Sequence, residues 1–300
     1  MEHAYYFAYG SNLNADDWAA WCARTGHAPQ VIRPLAPAYL PDHELAFDYR
    51  SQQRNGGALN IVPRRGQVVA GVLFAVTDNG WQALDEKEGV PERYQRLRAT
   101  ALTPDGGEVA VTTYQVREER RTAFVPPQPQ YVDIVRAGLR RHGLDDRMLS
   151  AAAACESVPW EVSDLFVYGT LRQGECRHDA IPRALRRAVR LAKVPGRLFD
   201  LGAYPGMLLP NAADQWVQGE CIGVAEIGTV LQTLDAIEGF AGFAQPQSLY
   251  RRALVSVTAA DGRRRLVWTY IFQGATDGAP AIASGDWRAH RLRRDAGTTP

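Results

Sequence analysis

The sequence predicts an α+β chain made of two tandem copies of one small domain, each a mixed sheet with a few flanking helices. Three observations predict it. The chain has 300 residues, which suits two domains of about 150. Four landmarks recur in the same order in both halves. Most of the segments between them read as strands, and only a few have helical spacing.

The first landmark is an apolar strand that runs into Tyr-Gly and a small hydroxyl residue. It reads Tyr5-Tyr-Phe-Ala-Tyr-Gly-Ser-Asn-Leu13 in the first half and Asp164-Leu-Phe-Val-Tyr-Gly-Thr-Leu-Arg172 in the second. The second is Leu-Asp-x-x-Glu-Gly, as Leu84 to Gly89 and Leu234 to Gly239. A Tyr with following basic residues comes next, at Tyr94 and Arg96 and at Tyr250 to Arg252. A further Tyr, Tyr114 or Tyr270, stands 20 residues later in both halves. The join is expected near Ser150 to Ser163, with domains over 1–155 and 163–300.

Strands are predicted at residues 66–76, 108–116, 218–227 and 265–272, all rich in β-branched and aromatic residues. Thr103 to Gly107 and Ala260 to Gly262 carry hairpin-turn signals. Helices are predicted from Asp78 to Glu88 with Gly89 as the stop, and from a Thr229/Gln232 capping box to Gly239. A third runs from Tyr131 to Leu139 and is ended by His142 and Gly143.

Composition narrows the function. Hydrophobic residues make up 46% and charged residues 22% of the chain, the balance of an ordinary globular protein. A net charge of +1 gives no pull toward nucleic acid or an anionic membrane. No apolar run reaches the ~20 residues of a membrane span, and no signal peptide is read at Met1 to Tyr9. The four cysteines lack zinc-ligand or disulfide-framework spacing, so a reduced, cytoplasmic chain is expected. The six histidines show no metal-binding pattern; neither metal nor cofactor is expected.

Glu88 and Glu238 are the candidate catalytic residues. A carboxylate in the last turn of a helix meets the negative end of the helix dipole, and burial raises its pKa further. Both effects bring it toward neutrality, where an acid/base catalyst works best. One such glutamate alone reads as an exposed residue at a frayed helix end; the same placement in both halves favours catalysis. The Tyr-Gly turns can expose consecutive backbone N–H groups to a carboxylate or oxyanion. No G-x-S-x-G elbow makes Ser11 or Thr170 a nucleophile.

Together these motifs resemble the γ-glutamylcyclotransferase-like family. The first half is similar to γ-glutamylcyclotransferase, through Tyr9 to Leu13, Phe47 to Gly57, Gly71-Val72, Leu84 to Val90, Tyr94 and Pro129 to Leu144. The second is similar to the γ-glutamylamine cyclotransferase and AIG2-like branch, through Tyr168 to Gly174, Gly196 to Asp200, Tyr204-Pro205, Gly219-Glu220, Leu234 to Gly239 and Ser284 to Trp287.

The resemblance implies a small mixed β-barrel with flanking helices in each half, and a cofactor-free reaction. The α-amine of a small γ-glutamyl substrate attacks its own γ-carbonyl, giving 5-oxoproline and a free amine. Glu88 or Glu238 moves the protons. Substrate is expected at Tyr9, Gly10, Ser11, Asn12, Leu13, Tyr94 and Tyr131, and at Tyr168, Gly169, Thr170, Leu171, Arg172 and Tyr250. An intramolecular pseudo-dimer, with one half structural, and a binding module without turnover stand as alternatives. The second half departs from the first in writing Thr-Leu for Ser-Asn and in a longer segment, Ala241 to Gln247, which could reshape or cover its site.

Overall fold

A computed structural model describes residues 5–209 and 215–297. The expected domain ends at 1–4 and 298–300 lie outside these residues, as do residues 1–4 of the stretch read for a signal peptide. The chain divides into two compact units. One holds Met1–Leu102 and Val109–Glu161, and the other Thr103–Glu108 and Val162–Pro300.

The first unit runs β1 (Tyr5–Ala8), α1 (Ala15–Thr25), β2 (Ile32–Ser51), β3 (Gly56–Val76), α2 (Asp78–Glu88), β4 (Tyr94–Leu102), β5 (Glu108–Val116), α3 (Pro129–Arg141) and α4 (Arg147–Ala153). Its strands form a closed barrel in the order β1-β3-β2-β4-β5. β1 lies antiparallel to β3 and parallel to β5, with Tyr6 opposite Thr112. The sheet is therefore mixed.

β2 and β3 are far longer than the sequence suggests. Three prolines in β2, Pro34, Pro37 and Pro41, argue against a strand, because proline cannot donate to a ladder. The structure accommodates Pro34 and Pro41 at register shifts, between Pro34 and Ala36 and between Pro41 and His43. Such bulges bend a long hairpin, which is what closing a sheet into a barrel requires. The core behind it gathers Phe7, Leu40, Ile61, Leu84, Val111 and Val135.

The second unit runs β6 (Asp164–Val167), β7 (Arg186–Pro195), β8 (Arg197–Asp200), β9 (Pro205–Leu208), β10 (Trp216–Val224), α5 (Ile227–Ile237), β11 (Tyr250–Ala259), β12 (Arg264–Phe272) and α6 (Trp287–Gly297). Its barrel has the order β10-β6-β12-β11-β7, and β8 and β9 form a separate two-stranded sheet. The parallel contact recurs, with Leu165 opposite Trp268. Its core includes Phe166, Val194, Met207, Cys221, Val255 and Trp287.

Two details repeat with the fold. Thr113 Oγ1 donates to the Phe7 carbonyl at 2.8 Å, and Thr269 Oγ1 to the Phe166 carbonyl at 3.0 Å. A Cβ on Gly71 would stand 2.3 Å from the Ala8 carbonyl oxygen, and one on Gly219 2.4 Å from that of Val167. These glycines let the strand that carries each Tyr-Gly turn lie close against its neighbour.

α2 begins and ends where the pattern places it, with Thr77 capping it and Gly89 in the left-handed region at φ 70°. α3 begins at Pro129, two residues before Tyr131, because proline suits the first turn of a helix, and it runs to Arg141 before His142 caps it. The Thr229/Gln232 capping box does not form. α5 starts three residues earlier, at Ile227 with Glu226 in the cap position, and the fully buried Ile227 side chain anchors the first turn; β10 ends at Val224 rather than Ile227. No helix among the described residues is long and apolar enough to cross a membrane.

Candidate active site

In the first unit, β1 delivers the chain to Gly10, and residues Ser11–Leu13 make one tight 3-10 turn. Asn14 then starts α1 by accepting from the backbone N–H groups of Asp16 and Asp17. From the other side, α2 ends at Glu88 because Gly89 turns the chain away. The two ends meet where Asn12 Nδ2 donates to Glu88 Oε1 at 2.8 Å. The same amide lies 2.9 Å from the Tyr6 hydroxyl.

Burial raises the Glu88 pKa above its ordinary value, opposed by Lys87, the Asn12 hydrogen bond, Arg93 and Arg54. Glu88 faces a cavity of about 430 Å³ shared with Ser11, Tyr94, Tyr131, Asp17, Arg54, Lys87 and Arg93. The Tyr94 hydroxyl donates to the Leu59 carbonyl at 2.9 Å, and the Tyr131 hydroxyl accepts from the Leu59 N–H at 3.4 Å. Both rings are thereby fixed as walls.

The second unit repeats this plan with other side chains. Glu238 follows α5 directly, with Gly239 at φ 62° behind it. Leu171 stands where Asn12 stands in the first unit. Burial pushes Glu238 up to about 7, and Arg177 alone opposes it. The cavity is about 100 Å³ and is lined by Tyr168, Gly169, Thr170, Leu171, Arg177, Tyr204, Glu238 and Tyr250 among others. The Tyr250 hydroxyl donates to the Pro205 carbonyl at 2.9 Å.

The structure thus brings Ser11, Tyr94 and Tyr131 together with Glu88, and Tyr168, Gly169, Thr170, Leu171 and Tyr250 together with Glu238. Other expected ligand residues take different places. Leu13 is a core residue, 1% exposed, and its N–H is spent on the Gly10 carbonyl at 3.1 Å. The Arg172 N–H is likewise spent on Gly169 at 3.0 Å, and its buried guanidinium pairs with Asp286 at 2.8 Å and Glu220 at 3.5 Å. The expected row of backbone donors therefore narrows to Ser11 at the first cavity and Gly169 to Leu171 at the second. Tyr9 and Gly10 do not line the first cavity; the Tyr9 hydroxyl donates to the Tyr114 carbonyl at 2.7 Å, and Asn12 acts through Glu88. Residues 241–247 do not line the second cavity. Phe240 and Phe243 stack on Arg252 instead, each with its ring centre 4.9 Å from the guanidinium carbon.

Sequence reasoning missed what ties each site to its barrel. Asp85 accepts from the Tyr114 hydroxyl at 2.8 Å and holds Arg96 through two bonds of 2.9 Å. In the second unit, Asp235 accepts from the Tyr270 hydroxyl at 2.7 Å and pairs with Arg252 at 2.9 Å. Tyr168 donates to the Tyr270 carbonyl at 2.8 Å, as Tyr9 does to Tyr114. These residues are the repeated landmarks themselves, so their recurrence was the available signal. Arg54, Lys87, Asp17, Arg177 and Tyr204 were not singled out as site residues, because neither half repeats them.

Comparison with known proteins agrees with the tandem repeat. The family model described as gamma-glutamyl cyclotransferase, AIG2-like, matches the chain twice, over residues 6–132 and 165–289. The gamma-L-glutamyl-butirosin B gamma-glutamyl cyclotransferase of Niallia circulans is 36% identical over 135 residues, 45% of this chain and 81% of that protein. The gamma-glutamylcyclotransferase of Bos taurus is 30% identical over 148 residues, 46% of this chain and 71% of that one. A solved structure named gamma-glutamyl cyclotransferase is 27% identical with a TM-score of 0.43, covering 53% of this chain and 90% of its own.

Proposed function

The chain belongs to the gamma-glutamyl cyclotransferase, AIG2-like family, and on that premise we propose that it converts γ-glutamyl amides to 5-oxoproline and a free amine, with one site in each repeat. The observation that carries this reading is the recurrence of a buried carboxyl with a raised pKa, Glu88 or Glu238, at the same helix end and facing a cavity. A passive pocket has no use for such a group, whereas proton transfer does.

In this reading the ionised glutamate takes a proton from the substrate α-ammonium. The freed amine attacks the γ-carbonyl carbon, and a C–N bond forms as the carbonyl oxygen gains charge. The backbone N–H groups offered to that oxyanion are those of the turn residues lining each cavity, Ser11 or Gly169 to Leu171. The glutamic acid then returns its proton to the leaving nitrogen, the original amide C–N bond breaks, and the lactam closes. Attack is intramolecular, so holding the glutamyl chain folded supplies much of the rate. No cofactor takes part, and the cytoplasm is the expected location.

The test is release of 5-oxoproline from a panel of γ-glutamyl amino acids and γ-glutamyl amines. Wild type should release it. Glu88→Gln and Glu238→Gln should each abolish a different part of the activity, by roughly 10²–10⁴-fold, and the double variant all of it. No 5-oxoproline from any member overturns the reading. The smaller second cavity, about 100 Å³ against about 430 Å³, favours a second reading in which only the first site turns over. Glu238→Gln would then change nothing across the panel.

A further inference from the structure

We propose, resting on the cyclotransferase reading, that the first site selects γ-glutamyl amides whose leaving amine carries two acid groups, the class of an acidic α-amino acid. Charge makes the selection. Four cations line the first cavity, Arg24, Arg54, Lys87 and Arg93, against two carboxylates, Asp17 and Glu88. A glutamyl head brings one α-carboxylate and one α-ammonium, which cancel. The remaining excess of two positive charges is matched only by the leaving portion of the substrate.

The cations nearest Glu88 are built in rather than loosely exposed. The Lys87 side chain is 7% exposed; its Nζ lies 3.0 Å from Asp17 Oδ2 and over the rings of Trp18 and Trp21 at 5.2 and 5.8 Å. Those rings stack on each other at 5.5 Å. Arg54 grips the same Asp17 through two bonds of 3.1 and 2.9 Å, lies over the Tyr131 ring at 5.0 Å, and reaches Ser11 Oγ at 3.3 Å. Asp17 therefore holds two cations side by side and neutralises only one. Burying that surplus costs energy, and burial holds the Lys87 pKa below its ordinary value. An incoming carboxylate offsets the cost.

The second site lacks this device. Ile237 precedes Glu238 where Lys87 precedes Glu88. Arg177 and Glu238 are the charged residues of its lining, and they balance. The two sites of one chain thus divide substrates by the charge of the leaving amine.

The test uses the full chain carrying Glu238→Gln, so that only the first site turns over. Its probes are γ-glutamyl-glutamate and γ-glutamyl-glutamine, which match in size and differ by one negative charge. The expected kcat/KM ratio favours γ-glutamyl-glutamate by roughly tenfold or more. Lys87→Met and Arg54→Met should each bring the ratio toward one, and Lys87→Arg should keep it. A parent ratio near one overturns the inference and leaves the cyclotransferase reading standing, since both probes still give 5-oxoproline. Equal losses on both probes in the two Met variants would assign the cations to the glutamyl α-carboxylate, which also overturns it. Absence of 5-oxoproline from both probes overturns the inference, and the reading beneath it falls only if the whole panel is silent with the wild-type chain as well.

Discussion

Asn12 donates its side-chain amide to Glu88 Oε1 across 2.8 Å. The matching residue of the second repeat, Leu171, has no side-chain donor to offer Glu238. A hydrogen bond to the ionised form of an acid lowers its pKa. With the loss of neighbouring cations, this exchange leaves Glu238 fewer partners that favour its ionised form, a separation in the electrostatics of the two sites.

The separation predicts two pH profiles in one chain. With Glu88→Gln, the remaining activity should rise as pH increases through about 7, where Glu238 ionises. With Glu238→Gln, the rise should come at lower pH. Adding Asn12→Leu to the latter should move its profile toward that of the second site. Coincident profiles for the two single variants would contradict the assignment of Glu88 and Glu238 as the titrating bases.

Glu238 also makes stability depend on pH. Its folded pKa, about 7, lies above the ordinary value of 4.5. The folded state therefore holds its proton more tightly than the unfolded state does. The stability contributed is full below the ordinary range and is lost as pH rises through about 7. Glu238→Gln should raise the melting temperature relative to wild type at pH 8 and leave it nearly unchanged at pH 4. An equal shift at both values would show that ionisation is not the cause.

The buried ion pair of the second unit should be the more costly one to break. Arg252 is 0% and Asp235 8% exposed, against 27% and 30% for Arg96 and Asp85. Removing one partner of a buried pair costs about 3–5 kcal/mol, whereas a partly exposed pair contributes about 0–1 kcal/mol. Urea denaturation of Asp235→Ala and Asp85→Ala should show the difference. Similar losses would mean that burial does not set the cost.

A methyl group at the close strand crossings should disturb the sites from a distance. Gly71→Ala meets the Ala8 carbonyl and Gly219→Ala that of Val167. Each should cost about 1–3 kcal/mol by overpacking. Each should also lower activity in its own half by displacing the Tyr-Gly turn. Full activity with unchanged stability in either variant would rule out the tight crossing.

Much of this was legible because duplication prints the chain twice. Glu88 and Glu238 stood out by recurring, as did the end of α2 with its glycine stop; α3 has no counterpart in the second half, and its end was legible from the local His142-Gly143 stop. β2 was hidden because its prolines act at bulges that only a barrel needs. The cation cluster around Asp17 was hidden for another reason. Asp17, Arg54 and Lys87 come from three separate elements and have no echo in the second half, so nothing local relates them. Arg172 misled because it directly follows a Tyr-Gly turn, yet its charge is drawn inward by Glu220 and Asp286.

The parallel contact between β1 and β5 orders events during synthesis. β1 leaves the ribosome first, but the strand that closes its barrel carries Thr112, opposite Tyr6. Until that strand emerges, the Tyr9 turn has no Tyr114 to hold it, and Tyr131 comes later still. The same wait recurs between Leu165 and Trp268. A nascent chain halted between the two barrels therefore already carries everything the first site uses, and a chain shortened within β12 forfeits the second site while sparing the first.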